Sequence, residues 1–231
     1  MSRSVVLKGA PRCPRCQLPP RWCICAGLQP VATPLRTTVL MHFMESYRPS
    51  STGHLIGRIV HGARVHEFRK ESAPTRAEVV DADRELWILH PQGEDPPATS
   101  DPAKLQVLLL DGTWVQATEM AHQVGLWGRR VRLPMTGESR YWLRRQAGEG
   151  RFSTMEALLF LHEALGLTAE HERLRAQFEL HVWAALCSRG HKADAQRYLA
   201  TSPARAAFAD LIAQLTTPRP RQEEGRSFDR P

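Results

Sequence analysis

The chain of 231 residues lacks any apolar run long enough to cross a lipid bilayer. Its first residues also lack the long apolar core of a secretory signal. Both absences argue against a membrane protein or an exported one, so we expect a cytoplasmic protein. At 42% hydrophobic residues, a chain of this length can bury one good core, which we expect in a main domain with small additions.

Several common cofactor and catalytic motifs are also missing. No glycine pattern matches GxGxxG after a strand or the phosphate loop GxxxxGK(S/T), so neither a dinucleotide fingerprint nor an NTPase is supported. HExxH and GxSxG are absent as well, and no internal repeat is evident. Any chemistry has to come from other patterns in this chain.

Charge is biased toward the positive side. The chain has 31 Lys and Arg against 24 Asp and Glu, a formal charge of +7 and a pI of about 9.6. A basic composition of this kind favours polyanionic partners without identifying one.

Cysteine is scarce except near the N-terminus, where four residues fall close together: Cys13, Cys16, Cys23 and Cys25. Disulfides are disfavoured in a reducing compartment, whereas four nearby thiolates are the usual ligands of a closed structural zinc site. A redox pair or a cluster without function are the alternatives. Neighbouring arginines and Trp22 would give this segment a positive, aromatic surface suited to nucleic acid.

The stretch from Leu105 to Trp114 predicts a buried strand that leads into a capped helix. Residues 105–110 are almost continuously apolar, as in a strand covered on both faces, and Thr113 with Gln116 forms a capping box. Asp111 therefore lies where a strand's carboxyl end meets a helix, which is where open α/β sheets bind ligands. An ordinary turn is the alternative for Asp111, and Trp114 is predicted to belong to the core.

Strand and helix patterns alternate over the middle of the chain. Strands are predicted at 37–42, 64–68, 86–90, 105–110 and 131–133, and helices at 54–61, from 114, at 154–165, at 168–189 and from 203. Residues 91–103 are predicted to be a surface loop because of their prolines. Alternation of this kind predicts an α/β fold with a mostly parallel sheet flanked by helices.

Four segments are predicted along the chain. They are a zinc-binding segment at 1–34, an α/β catalytic domain at 35–166, helices packed on it at 167–215, and a disordered tail at 216–231.

The sequence Asp111-Gly112-Thr113-Trp114, together with the four cysteines, resembles the DTW-domain family. Further matching features are His42-x-x-Glu45-x-x-Arg48, Ser51-Thr52-Gly53, Leu89-His90-Pro91, Arg140-Tyr141 and Ser153-Thr154-Met155-Glu156-Ala157. Ser51 departs from the family, which often has Asn at this position, so the role of this loop residue is open.

This resemblance implies a SPOUT-like α/β fold with a C-terminal knot at the cofactor site. It also implies a tRNA-uridine aminocarboxypropyltransferase, which uses S-adenosylmethionine to place a 3-amino-3-carboxypropyl group on N3 of a uridine and releases methylthioadenosine. In bacterial members that uridine lies in the variable loop of tRNA. An RNA methyltransferase on a similar fold and a non-catalytic, zinc-stabilised RNA-binding module are the alternatives.

The reaction that the resemblance implies assigns roles to particular residues. Asp111 is the candidate that deprotonates or orients N3, for which burial would have to raise its pKa, since an unperturbed aspartate is a poor base here. Expected cofactor contacts are Leu89, His90, Pro91, Leu110, Gly112, Thr113, Leu133, Pro134, Arg140, Tyr141, Ser153 and Thr154. Expected tRNA contacts are His42, Glu45, Arg48, Ser51, Thr52, Arg58, Trp142, Arg144 and Arg145. Trp114, although favoured as a core residue, is also available for stacking on the target base.

Overall fold

Five parallel strands form one sheet in the computed structural model, which describes residues 11–97, 100–144 and 151–218. The strands are β1 (Arg36–His42), β2 (Arg64–Phe68), β3 (Glu85–Glu94), β4 (Leu105–Asp111) and β5 (Arg129–Val131), in the order β2-β1-β4-β3-β5. All four neighbouring pairs run parallel. The predicted α/β class with a parallel sheet is confirmed.

Helices connect and follow the strands. They are α1 (Phe43–Ser46), α2 (Thr52–Ile59), α3 (Arg76–Val79), α4 (Trp114–Val124), α5 (Thr154–Ala164), α6 (Thr168–Ser188), α7 (Lys192–Ala200), α8 (Ala204–Ala207) and α9 (Ala209–Thr216). Within the described ranges, no helix has both the length and the apolar character needed to cross a membrane.

The central strand β4 is apolar because both of its faces are covered. Val107 and Leu109 point to a large cluster that includes α2, α5 and α6, whereas Leu108 points to a smaller cluster with Met120 and Val124 of α4. Alternation along a strand sends neighbouring side chains to opposite faces, so an almost unbroken apolar run is what a two-sided core requires.

The cysteine segment and the C-terminal helices pack into the same large cluster as the sheet. Cys16 and Ile24 are fully buried in it, together with residues of α6 and α9. The Trp22 ring meets the Trp183 ring edge-on, with centroids 6.0 Å apart, and Arg21 donates a 2.8 Å hydrogen bond to the Thr217 carbonyl. Nothing in these contacts tests the predicted segment boundaries, and most of the predicted tail lies outside the described residues.

Two strand boundaries differ from the predictions. β3 continues through Pro91 to Glu94, although residues 91–103 were expected to be a loop. Its pairing with β4 ends at Ile88, and an irregularity separates the β5 partners Leu89 and Glu94, so Pro91 breaks no ladder. β5 covers Arg129–Val131 rather than 131–133.

Other elements were not predicted. The short helix α1 lies in a segment expected to be a polar loop, and α7 lies between two predicted helices. Trp114 was assigned to the core, but its side chain is 40% exposed. The buried face of α4 begins later, at Met120 and Ala121.

Candidate active site

Asp111 ends β4 and lies at the meeting point of two helix starts. Its carboxylate is only 5% exposed. The Thr154 hydroxyl donates to Asp111 Oδ1 at 2.6 Å, and the Ser51 hydroxyl donates to Oδ2 at 2.8 Å. Ser51 is the N-cap of α2, where it also accepts from the His54 amide, and Thr154 is the first residue of α5. Two helix N-termini thus place their positive ends near one buried carboxylate.

Burial raises the pKa of Asp111 above its ordinary value. The hydroxyls of Thr154 and Ser51 favour the ionised form and oppose this rise, while the nearby Glu45 carboxylate adds to it. The net direction is upward, because desolvation of the charged form outweighs the two hydrogen bonds. A carboxylate with this shift is a better proton acceptor than an exposed aspartate.

A second buried carboxylate, Glu45 of α1, holds two arginines near Asp111. It is 1% exposed and accepts from Arg48 Nη1 at 2.6 Å and from Arg144 Nη2 at 2.5 Å. The Arg144 guanidinium lies 5.9 Å from the centre of the Tyr141 ring, and the Tyr141 hydroxyl donates to the Ser50 carbonyl. Both carboxylate oxygens of Glu45 accept hydrogen bonds from arginines, so Glu45 positions Arg48 and Arg144.

Two adjoining cavities open at this end of the sheet. The larger, of about 270 Å³, is lined by Leu89, His90, Pro91, Leu109, Leu110, Gly112, Trp114, Ala117, Val131, Arg132, Leu133, Met135, Phe152, Ser153, Thr154 and Ala157. The smaller, of about 230 Å³, is lined by Arg48, Thr52, Asp111, Gly112, Thr113, Trp114, Tyr141, Arg144, Arg151, Phe152, Ser153 and Thr154. Five residues belong to both walls, so two ligands bound in these cavities would be neighbours.

The four N-terminal cysteines form a separate cluster. Their sulfur atoms all lie within 4.8 Å of one another, with Cys13 and Cys25 at 3.5 Å and Cys16 and Cys23 at 3.7 Å. Tetrahedral zinc with Zn–S bonds of about 2.3 Å requires sulfur separations of about 3.8 Å. The four cysteines could therefore hold a metal ion, in agreement with the structural zinc that the sequence predicts.

The local backbone favours the ionised, thiolate form of Cys13 in this cluster. Gln17, directly after Cys16, has a φ of 62°, and its amide donates to the Cys13 carbonyl in the tight turn that brings Cys13 and Cys16 together. Backbone N–H groups of Cys16 and Arg15 lower the pKa of Cys13 to about 6. Amides aimed at a sulfur favour its ionised form, which is the form that binds metal.

The family model of the DTW domain matches residues 10–185. The chain belongs to the DTW-domain family. The matched range contains the cysteine cluster, Asp111 and the lining of both cavities. No solved structure matches the chain. Membership of this family is consistent with a tRNA-modifying enzyme.

The two cavities meet at the sequence Asp111-Gly112-Thr113-Trp114. Thr113 caps α4 by accepting from the Gln116 amide, while the Gln116 side chain accepts from the Thr113 amide. Gly112 lies in both walls, and a Cβ there would meet Gln116 Cβ at 2.9 Å. Trp114 also lies in both walls, with the Arg151 guanidinium 5.3 Å from its ring centre. Arg151 is thus a site residue that the sequence interpretation missed, and Trp114 is one that it favoured as core.

Most predicted cofactor residues lie together. Eight of them line the larger cavity: Leu89, His90, Pro91, Leu110, Gly112, Leu133, Ser153 and Thr154. Thr113 and Tyr141 line only the smaller one. Arg140 points elsewhere, since its Nη2 donates to Glu179 at 2.8 Å and to the Tyr198 carbonyl at 3.0 Å. Among the described lining residues of both cavities, Arg140 and Pro134 do not occur.

The predicted tRNA contacts are more scattered. Arg48, Thr52 and Arg144 line the smaller cavity. Ser51 is buried against Asp111, His42 caps α1 through Nδ1, and Trp142 packs edge-on against Tyr198 with ring centres 5.1 Å apart. Arg145 lies outside the described residues, and the Nη1 atom of Arg58 is buried inside the protein. The structure therefore groups only some of the predicted contacts around Asp111.

Proposed function

We propose that this DTW-domain protein transfers a 3-amino-3-carboxypropyl group from S-adenosylmethionine to N3 of a uridine in the variable loop of tRNA, releasing methylthioadenosine. The observation that carries the proposal is the position of Asp111. A buried carboxylate with a raised pKa lies in the smaller of two cavities that share a wall. Two substrates and one proton acceptor can be accommodated there side by side.

The larger cavity fits the cofactor by the chemistry of its walls. Leu89, Leu110 and Leu133 are apolar surfaces for an adenine ring, and the backbone at Gly112 is open to close approach. Its volume is close to the lower end of ordinary small-molecule sites, which begins at about 300 Å³. Burial lowers the pKa of His90, so this imidazole stays neutral beside a positively charged sulfonium. When bound, the cofactor would supply an electrophilic carbon with a thioether leaving group.

The smaller cavity is the proposed place of the uridine. Asp111 accepts the N3 proton as the N–C bond forms and the C–S bond breaks, and its negative charge favours a cation in the neighbouring cavity. Trp114 offers an aromatic face for an extruded base. Arg48 and Arg144, held by Glu45, line the same cavity as Asp111 and can bind acidic groups of either substrate.

Product analysis tests this proposal directly. The protein is incubated with S-adenosylmethionine and unmodified tRNA, and the small-molecule products are separated by chromatography. Methylthioadenosine together with a mass increase on uridine is the expected result. S-adenosylhomocysteine would instead identify a methyltransferase, and tRNA binding without either product would identify a non-catalytic RNA-binding module.

The hydroxyl of Thr154 is expected to set the acidic limit of activity. It stabilises the Asp111 carboxylate, so Thr154→Val should raise the pKa of Asp111 further and leave the base protonated up to a higher pH. A hydrogen bond to a charged group contributes about 1.5–3 kcal/mol, which corresponds to an upward shift of about one pH unit or more. The acidic limb of kcat/KM against pH measures this shift.

Thr216→Val is the matched control, because this threonine bonds only to helix carbonyls in α9, far from Asp111 in the chain. Its pH profile should coincide with that of the unmodified protein. An unchanged acidic limb in Thr154→Val would argue against Asp111 as the group that titrates.

A further inference from the structure

Arg58 lies in the last turn of α2 and points into the protein. Its Nη1 atom is buried and has no hydrogen-bond partner within residues 11–97, 100–144 and 151–218. The same described part of the chain offers it no carboxylate ion pair. A buried cation without a countercharge is costly, because the protein interior replaces water poorly around an ion.

The last turn of α2 is attached to the cysteine segment. The Val31 amide donates to the Ile59 carbonyl at 2.7 Å, and the His61 amide donates to the Val31 carbonyl at 2.9 Å. Val31 and Val60 form a parallel bridge, and both belong to the core cluster that contains Cys16. Arg58 is thus carried on a turn that is hydrogen-bonded to the chain just after the four cysteines.

The cysteine sulfurs are the negative groups that act on the Arg58 charge. Burial lowers the pKa of Arg58, while Cys16, Cys25 and Cys13 act in the opposite direction. The other titratable neighbour is His181 of α6, which is fully buried. Desolvation, Arg58 and Arg189 together lower the pKa of His181 to about 3, so its ring is neutral and supplies no countercharge.

We propose that Arg58 is the charge partner of the four-cysteine metal site and not a contact for tRNA. Zinc with four thiolates carries a net charge of −2, which would compensate the buried guanidinium. Arg58 in turn would stabilise the anionic cluster and so help to retain the metal. This inference depends on the proposed metal site, since four neutral thiols would leave Arg58 uncompensated.

Zinc affinity tests the proposal in the full-length protein. Zinc content is first measured after purification without chelators, and the dissociation constant is then determined by competition with a chromophoric chelator. Changes next to metal ligands typically weaken binding by about 10- to 100-fold, and we expect an effect of this size for Arg58→Met. Arg58→Lys, which keeps the charge, should bind more tightly than Arg58→Met.

Arg21→Gln is the matched control, because Arg21 belongs to the cysteine segment but its guanidinium makes a solvent-exposed hydrogen bond to the Thr217 carbonyl. It should leave zinc affinity within about twofold of the original protein, since a solvated charge is screened. Equal affinities for Arg58→Met and Arg21→Gln would overturn the proposal. Less than stoichiometric zinc in the original protein would instead overturn the metal site itself.

Thermal unfolding gives a second, independent readout. Removal of zinc leaves the Arg58 charge uncompensated, so a chelator should lower the unfolding temperature of the original protein more than that of Arg58→Met. An equal decrease in both proteins would contradict the proposed pairing. If Arg58→Met does not fold, the chelator-induced decrease in unfolding temperature is compared between the original protein and Arg58→Lys. Lysine is expected to retain only part of this dependence on zinc, so an equal decrease would again contradict the pairing.

Discussion

Replacing Asp111 with asparagine is expected to lower kcat for aminocarboxypropyl transfer by about 100- to 10,000-fold, the usual contribution of a general base. Asparagine has almost the same shape and can still accept a hydrogen bond from Thr154 or Ser51. It cannot accept the N3 proton, and it has no charge to offer a cation in the neighbouring cavity. Retention of tRNA should persist, because the arginines that line the smaller cavity are unchanged.

The same substitution should not destabilise the fold at neutral pH. The pKa of Asp111 is raised in the folded state, so its ionisation costs stability as the pH rises above the pKa of the unfolded chain. A neutral asparagine removes this cost, and the unfolding temperature at pH 7 to 8 should stay equal or increase. Loss of activity could then not be attributed to unfolding.

Release of methylthioadenosine at saturating substrates, filter retention of tRNA and thermal unfolding are the three measurements. Asp194→Asn on α7 is the control, since this carboxylate pairs with Arg197 at the surface. It should match the original protein in all three. Full activity of the Asp111→Asn variant would remove the proposed role of Asp111.

Local patterns predicted the elements around Asp111 correctly. β4 was recognisable because a strand buried on both faces is continuously apolar, and α4 and α5 because their capping boxes lie within four residues of chain. The cysteine cluster was recognisable for the same reason, since its four ligands are close in sequence. Interactions of this kind are formed by neighbours, so their sequence signal is direct.

Contacts between distant segments could not be predicted in this way. The Ser51 hydroxyl reaches Asp111 across 60 residues, and Arg144 reaches Glu45 across 99. Ser51 followed by Thr52 and Gly53 is a helix start, so its capping role had a local signal, but its second bond to Asp111 depends on how α2 packs against the sheet.

Long side chains gave the least reliable predictions. Arg140 and Arg58 are arginines in positions that resemble a binding surface, yet one pairs with the buried Glu179 and the other buries its Nη1 atom inside the protein. A flexible side chain can turn either way, and only the packed structure determines the direction. Trp114 shows the reverse error, because an apolar residue at a helical spacing was expected in the core and instead lines the cavities.

Adding one methyl group at Gly53 is expected to disrupt the site as strongly as a change of its chemistry. A Cβ at this position of α2 would lie 2.6 Å from Asp111 Oδ2 and 2.9 Å from Met41 Cε. Asp111 cannot retreat, because Ser51 and Thr154 hold both of its oxygens. A displacement of about 1 Å at a reacting group can cost 100-fold in rate, and we expect Gly53→Ala to lower kcat/KM by about that factor.

Gly57→Ala separates this effect from a general effect on α2. Gly57 belongs to the same helix, and its added Cβ would meet only Val65 Cγ2, at 2.9 Å, the end of a partly exposed side chain that can move. Alanine is favoured over glycine in a helix by about 1 kcal/mol, so neither variant should destabilise α2 through propensity. Activity of Gly57→Ala should therefore stay near that of the original protein. Equal losses in both variants, or none in Gly53→Ala, would show that close packing of α2 against the carboxylate does not control the reaction.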